Sequence, residues 1–206
     1  MKIHTIPVGD LQANCYIIEN LQDKQAILID PGAEANKIIN FIKKNELKVV
    51  AILLTHGHAD HISALDKVRE ACLAKVYIHA DDAPMLTNAK QNLSSFIGAD
   101  RIFKEAEENL ADGQLLNIAG LEIQVLTIPG HTKGGCSFKI GEHVFVGDSI
   151  FLESIGRTDL PGGSYKSLIS NLKTKILTLP ENTKLYPGHG PSTDVAWEKR
   201  MNPFLQ

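Results

Sequence analysis

Val49-Val50-Ala51-Ile52-Leu53-Leu54-Thr55-His56-Gly57-His58-Ala59-Asp60-His61 decides the reading of this chain. Six apolar residues in succession, mostly branched, read as a buried strand. The run breaks at Thr55, and four metal-capable side chains follow: His56, His58, Asp60 and His61. Beyond them Ile62, Leu65, Val68 and Cys72 recur at the spacing of one helix face. Four such groups this close cannot share a single helix face. In a strand-to-helix turn they splay into two groups and serve two ions, and Gly57 permits the tight backbone that this needs. A catalytic zinc ion takes about three protein ligands and leaves a place for water. A turn of solvated histidines, or a histidine cap network, would give the same run, so the rest of the chain has to carry weight.

It does so at three further strand ends. Leu126-Thr127-Ile128-Pro129-Gly130-His131 runs from an apolar segment into a turn with a histidine. Val144-Phe145-Val146-Gly147-Asp148 ends in an aspartate. Leu185-Tyr186-Pro187-Gly188-His189-Gly190 ends in a histidine between glycines. A rigid sheet presents such residues precisely.

Further strands are expected at Lys2–Val8, Asn14–Glu19, Ala26–Ile29, Val76–Ile78, Gln114–Ile118, Leu121–Ile128, Cys136–Ile140, His143–Val146 and Lys184–Tyr186, with hairpin turns at Ala119-Gly120 and Gly141-Glu142. Helical stripes appear at Ala35, Ile38, Ile39 and Ile42, and at Leu168, Leu172, Ile176 and Leu179. A short last helix spans Asp194–Arg200, capped by Ser192 or Thr193. Lys90–Asn109 reads as a polar, irregular surface excursion near the site. Two sheets packed face to face with helices outside would bury every one of these stripes. The 206 residues suit one domain with a sizeable core.

The pattern H-x-H-x-D-H followed by His, Asp and His at strand ends resembles the metallo-β-lactamase superfamily. The resemblance covers the whole chain and implies an α+β fold, an αββα sandwich of two mixed sheets with helices on the outer faces. It implies that His56, His58 and His131 hold a first metal, that Asp60, His61 and His189 hold a second, and that Asp148 bridges them. Ser154-Ile155-Gly156-Arg157-Thr158-Asp159-Leu160-Pro161-Gly162-Gly163-Ser164 resembles the corresponding loop of small glyoxalase II-like proteins. Gly188–Thr193, Glu198–Phe204 and Gly9–Asn14 look like the same group. Two departures stand out: Thr132-Lys133-Gly134 replaces the usual Thr-Pro-Gly, and the helical C-terminal domain with which full-length glyoxalase II grips glutathione is not expected here.

The implied activity is hydrolysis of S-lactoylglutathione or a related acyl thioester, by hydroxide generated at two divalent ions, zinc first, with iron or manganese also suited to the donor set. Asp60 is placed to orient that hydroxide. A thiolate, whose thiol has a pKa near ~8.5, leaves without a strong general acid. The rival expectation is an iron-dependent persulfide dioxygenase with one iron on His56, His131 and Asp148; a lactonase or other ester hydrolase is the third. Arg157, Lys133 and Tyr165 are candidates for substrate contact. Asp30, after the strand Ala26–Ile29, either braces the His56 loop or caps a turn. Asp159 either supports the mouth or pairs with Arg157. His4, His79 and His143 are expected to stand outside the site.

Composition narrows the partners. The net charge is −3 and no long basic run occurs, so nucleic acid is not expected. No apolar run suits a bilayer span and Met1–Val8 has no signal layout. Three widely spaced cysteines, Cys15, Cys72 and Cys136, suit reduced thiols in a cytoplasmic protein. Nothing in the pattern sets an oligomeric state.

Overall fold

A computed structural model describes residues 1–96, 98 and 100–206. β1 (Lys2–Val8), β2 (Ala13–Glu19), β3 (Gln25–Ile29), β4 (Lys48–Leu53), β5 (Lys75–His79) and β6 (Glu108–Leu110) form the first sheet in that order. Its first three strands are antiparallel and the rest parallel. α1 (Ala35–Lys44), α2 (Ala59–Ile62), α3 (Leu65–Cys72) and α4 (Ala83–Leu86) lie in its connections. The second sheet comes from β7 (Leu115–Ile118), β8 (Leu121–Thr127), β9 (Cys136–Ile140), β10 (His143–Gly147), β13 (Lys184–Pro187) and β14 (Thr193–Asp194). A small hairpin of β11 (Ile150–Phe151) and β12 (Ser154–Ile155) stands apart. α5 (Tyr165–Asn171), a π turn (Leu172–Ile176) and α6 (Val195–Met201) complete the chain.

Three apolar clusters show why this order folds as it does. Ile18, Ile27, Ile29 and Leu53 meet Ile123, Val125, Phe138 and Phe145 between the sheets. Ile17, Leu28 and Ile52 face the other way, onto Ile38, Leu65 and Val68. Val144, Val146 and Leu185 pack against Leu168, Leu172, Ile176 and Val195. β2 is buried at all seven positions because both of its faces are covered. The expected sandwich of two mixed sheets with helices outside is the observed fold.

The structure corrects several local expectations. The helix after the metal run is two pieces, since Ser63 N donates to the Gly32 carbonyl as well as to Ala59, and Ala64 N donates to Pro31. The third stripe is likewise α5 continued by the π turn. Asp194, not Ser192 or Thr193, caps α6, accepting from Trp197 N. Four short strand segments, β6, β11, β12 and β14, are too brief for a period to register. β6 overlaps the end of the Lys90–Asn109 excursion, and Ile97 and Ala99 of that stretch lie outside the described residues. Cys15 and Cys136 are buried, Cys72 is half-buried, and all three are free. Among the described residues no helix is long and apolar enough to cross a membrane.

Candidate metal centre

The strand directions gather the candidate residues at one edge. β3 and β4 are parallel, so Asp30 and His56 emerge from the same end of the first sheet. β8 and β10 both pair antiparallel with β9, and β13 runs parallel to β10. Hence the residues beyond their C-terminal ends, His131, Asp148 and His189, also share one end.

There the seven side chains converge. Ring nitrogens of His56, His58 and His131 lie within 4.8 Å of one another, and donor atoms of Asp60, His61 and His189 form a second such group. Asp148 stands between them: its Oδ1 is 3.4 Å from His61 Nε2, and its Oδ2 is 3.7 Å from His131 Nε2 and 3.6 Å from His189 Nε2. Asp60 Oδ2 lies 3.2 Å from His189 Nε2.

The surrounding hydrogen bonds set which nitrogen of each ring is free. His131 Nδ1 donates to the Arg157 carbonyl at 2.8 Å and His189 Nδ1 to the Leu11 carbonyl at 3.0 Å. His61 Nδ1 donates to Asp30 Oδ2 at 2.9 Å. Thr55 Oγ1 spends its proton on Asp30 Oδ2 at 2.5 Å and so accepts from His56 Nδ1 at 3.0 Å. With Nδ1 the donor in each neutral ring, Nε2 is the nitrogen that each would offer to a metal in the centre. His58 instead presents Nδ1, 3.0 Å from His131 Nε2. Among the described residues, His56 Nε2, His58 Nε2 and Asp148 Oδ1 are buried with no hydrogen-bond partner. Buried acceptors without partners are costly. A bound cation would satisfy His56 Nε2 and Asp148 Oδ1, so the residues present fit a pair of divalent ions, and nitrogen with carboxylate oxygen suits zinc, iron or manganese.

Electrostatics divide the histidines between the two groups. Burial, then the neighbouring His61 and His58, hold His56 well below the usual imidazole range. Burial and His131 push His58 down to about 3. Burial alone would raise Asp60 and Asp148, but His61 and its companions outweigh it and keep both carboxylates ionised. Burial opposes charge on His61 and His189, yet Asp148 and Asp60 raise both above the ordinary value.

Close packing leaves little latitude. A Cβ at Gly188 would overlap Asp148 Oδ1 and come within 2.7 Å of His61 Cε1. Gly57 has no positive φ; it is kept small by Met85, whose Cβ a side chain would meet at 2.6 Å. The first sheet also anchors the His189 loop: Asn14 Nδ2 donates to the Pro187 and Gly190 carbonyls, and Tyr16 Oη to Pro187.

A cavity of about 370 Å³ opens onto the cluster, touching His58, Asp60, His131 and Asp148 and walled by Leu11, Leu93, Phe96, Leu160 and Pro161. Arg157 lines it, but its guanidinium is tied to Asp159 by two 2.8 Å bonds. Asp159 makes its side-chain bonds there and braces none of the seven; the Arg157 backbone does that work. Lys133 faces a neighbouring cavity with Asp82 and Gly162, and Tyr165, exposed at the start of α5, lines neither. Asp30 holds Thr55 N, Thr55 Oγ1 and His61 Nδ1, so it braces the metal run. His4 binds Glu19, His143 binds Tyr186, and His79 accepts from Asp81 N, all outside the cluster.

Sequence reasoning missed Thr55, whose hydroxyl relays Asp30 to His56, and buried Asp82, which accepts from Thr132 Oγ1 and Gly134 N beside His131. It also missed the apolar wall. Thr55 directly precedes the first ligand and was the one available signal; Leu11, Leu93 and Phe96 are brought together only by tertiary structure.

The model of the metallo-beta-lactamase superfamily matches residues 8–189. A probable metallo-hydrolase of Bacillus subtilis is 42% identical over 100% of this chain and 98% of its own length. The hydroxyacylglutathione hydrolase GloC of Haemophilus influenzae is 35% identical over 100% and 98%. Among solved structures, the BLEG-1 B3 metallo-beta-lactamase superposes with a TM-score of 0.96 at 39% identity, covering 100% of both chains. TTHA1623 in a di-iron-bound form gives 0.88 at 38%, covering 98% and 100%. ETHE1 from Myxococcus xanthus gives 0.82 at 29%, covering 98% and 84%. With the fold, the histidine and aspartate cluster and these likenesses in agreement, the chain belongs to the metallo-beta-lactamase superfamily.

Proposed function

We propose that this metallo-hydrolase is a thioester hydrolase, acting as one domain on S-lactoylglutathione or a related acyl thioester. His56, His58 and His131 would hold one divalent ion, Asp60, His61 and His189 a second, with Asp148 between them. Ions bound there supply Lewis acidity and acidify water to a pKa near ~7. Asp60, kept ionised, accepts a hydrogen bond from the attacking water and fixes its direction. Leu11, Leu93 and Phe96 give the cavity an apolar wall beside the reacting carbonyl.

The observation that carries the thioester reading is the lack of a proton donor among the described residues that line the cavity. Asp60 and Asp148 are held ionised, His58 is held neutral, His131 already spends its Nδ1 proton on the Arg157 carbonyl, and the Arg157 guanidinium is tied to Asp159. An amine leaving group needs a proton delivered to it, whereas a thiolate, at a thiol pKa of ~8.5, departs unaided. The likeness to a hydroxyacylglutathione hydrolase supports the same reading. The likeness to ETHE1 keeps a second one, a persulfide dioxygenase using His56, His131 and Asp148 alone.

The test is an assay of zinc-, iron- and manganese-loaded protein on S-lactoylglutathione, the same acyl group on a simple thiol, and a β-lactam. The thioesters should be turned over and the β-lactam poorly. Because Arg157, the basic residue on the cavity wall, is already paired with Asp159, the simple thiol ester should react nearly as well as the glutathione ester. Rapid β-lactam hydrolysis with inert thioesters would refute the reading.

A further inference from the structure

The cavity beside the metal cluster has two kinds of wall. Its floor is His58, Asp60, His131 and Asp148, and its rim is apolar: Leu11, Leu93, Phe96 and Leu160. Leu11 is 61% exposed and Phe96 74% exposed, so large hydrophobes stand in solvent at the entrance to a polar site. Scattered exposed hydrophobes need no explanation, but a group gathered on one cavity does. The basic residue on that rim, Arg157, is already neutralised by Asp159 in a bidentate pair.

The turn that carries Leu93 is pinned on both sides by buried hydrogen bonds. Asn92 is fully buried; its Nδ2 donates to the Met85 and Arg101 carbonyls at 3.0 Å each, and its Oδ1 accepts from Ser94 N at 2.9 Å. The Asn92 carbonyl accepts from Ala59 N at 2.8 Å, tying the loop to the His58–Asp60 turn itself. Ser94, also fully buried, bonds both the Arg101 amide and its carbonyl. Between these two anchors Leu93 adopts φ +67°, a left-handed conformation that γ-branched residues rarely occupy. A glycine would relieve the strain, yet the position holds a leucine whose side chain lines the cavity. The buried hydrogen bonds on either side enforce that conformation and hold the Leu93 side chain on the cavity wall.

Resting on the thioesterase reading, we infer that the cavity takes an uncharged, unbranched acyl chain, and that the preferred substrates are medium-chain acyl thioesters rather than the lactoyl ester. The carbonyl would sit over Asp60 and Asp148 while the chain runs along Leu93, Phe96 and Leu160. Each methylene removed from water there should raise kcat/KM about two- to fourfold, fourfold corresponding to ~0.8 kcal/mol per buried methylene. Lactoyl, with only a methyl beyond its second carbon, reaches little of this wall.

The experiment measures kcat/KM on metal-loaded protein for acetyl, lactoyl, butanoyl, hexanoyl and octanoyl esters of one thiol, N-acetylcysteamine. The same series is run on Phe96→Ala and Leu93→Gly. The expected result is a rise from acetyl to hexanoyl, with lactoyl no better than butanoyl, and a shallower rise in both variants because hexanoyl loses more than acetyl. A flat or falling profile in the wild type, with acetyl and lactoyl esters turned over, overturns the acyl-chain inference and leaves the thioesterase reading intact. A rising profile that both variants keep unchanged overturns the assignment to this wall. No turnover of any ester overturns the thioesterase reading, and the inference with it.

Discussion

Replacing Asp30 by Asn changes one atom and should reverse two histidines. Asp30 is buried and accepts three hydrogen bonds: Thr55 N on Oδ1 at 2.8 Å, and Thr55 Oγ1 and His61 Nδ1 on Oδ2. Its φ of +52° is one that asparagine tolerates as readily as aspartate, so the backbone has no reason to move. In the variant the amide oxygen still takes Thr55 N, but an NH2 group now faces Thr55 Oγ1 and His61 Nδ1. Thr55 must accept instead of donate, so its own proton turns to His56 Nδ1. Both His56 and His61 are then driven to carry their proton on Nε2, the nitrogen each would offer to a metal. One residue lies in each ligand group, so both ions should bind more weakly. Loss of such an orienting partner typically costs about 10–100-fold in affinity, or ~1.4–2.8 kcal/mol per ion at 1.4 kcal/mol per tenfold. The metal-free fold should suffer less, about 1–2 kcal/mol, because charge-assisted bonds become neutral ones rather than vanish. Competition with a chromophoric chelator gives the affinities, and urea unfolding of the metal-free protein gives the stability. Two ions bound by Asp30→Asn as tightly as by wild type, with the fold intact, would refute the account of the tautomers.

His189→Ala should reduce thioester hydrolysis by well over the ~100-fold that loss of an outer partner costs, and His56→Ala should match it; a dioxygenase centred on His56, His131 and Asp148 would instead keep its oxygen uptake without His189. Glu198 is fully buried and accepts from Thr193 Oγ1, Asn202 Nδ2 and Glu153 N, pinning α6 to the turn of the β11–β12 hairpin. Glu198→Ala should cost about 3 kcal/mol by stranding these donors, roughly 6–12 °C in Tm at this size. Glu198→Gln, which keeps one acceptor oxygen, should cost less, and equal melting of the two variants would contradict that.

Much of this was legible in the chain because long elements and strand-end ligands leave periodic or spaced signals. The seven converging side chains each follow an apolar run or lie in one turn, and the two-sided burial of β2 shows as an apolar segment without alternation. The cap of α6 was misplaced by one or two residues because Ser192, Thr193 and Asp194 are all competent caps, and only the backbone chooses among them. Thr193 instead spends its hydroxyl on Glu198. The break between α2 and α3 could not be read from Ile62, Leu65 and Val68, since the stripe continues across it; the cause is the pull of the Gly32 and Pro31 carbonyls from another part of the chain. The apolar wall was hidden for the same reason. Leu11, Leu93 and Leu160 are far apart in sequence, and although Leu11 and Leu160 lie in segments that resemble glyoxalase II-like proteins, nothing there says that they share one wall.

Reconstitution of metal-stripped protein, with bound ion and thioester hydrolysis read in the same titration, tests the central claim most directly. The two ligand groups and the carboxylate between them predict saturation at about two ions per chain, with hydrolysis rising mainly as the second ion binds. Full activity at a single ion per chain, unchanged by His189→Ala, would contradict it.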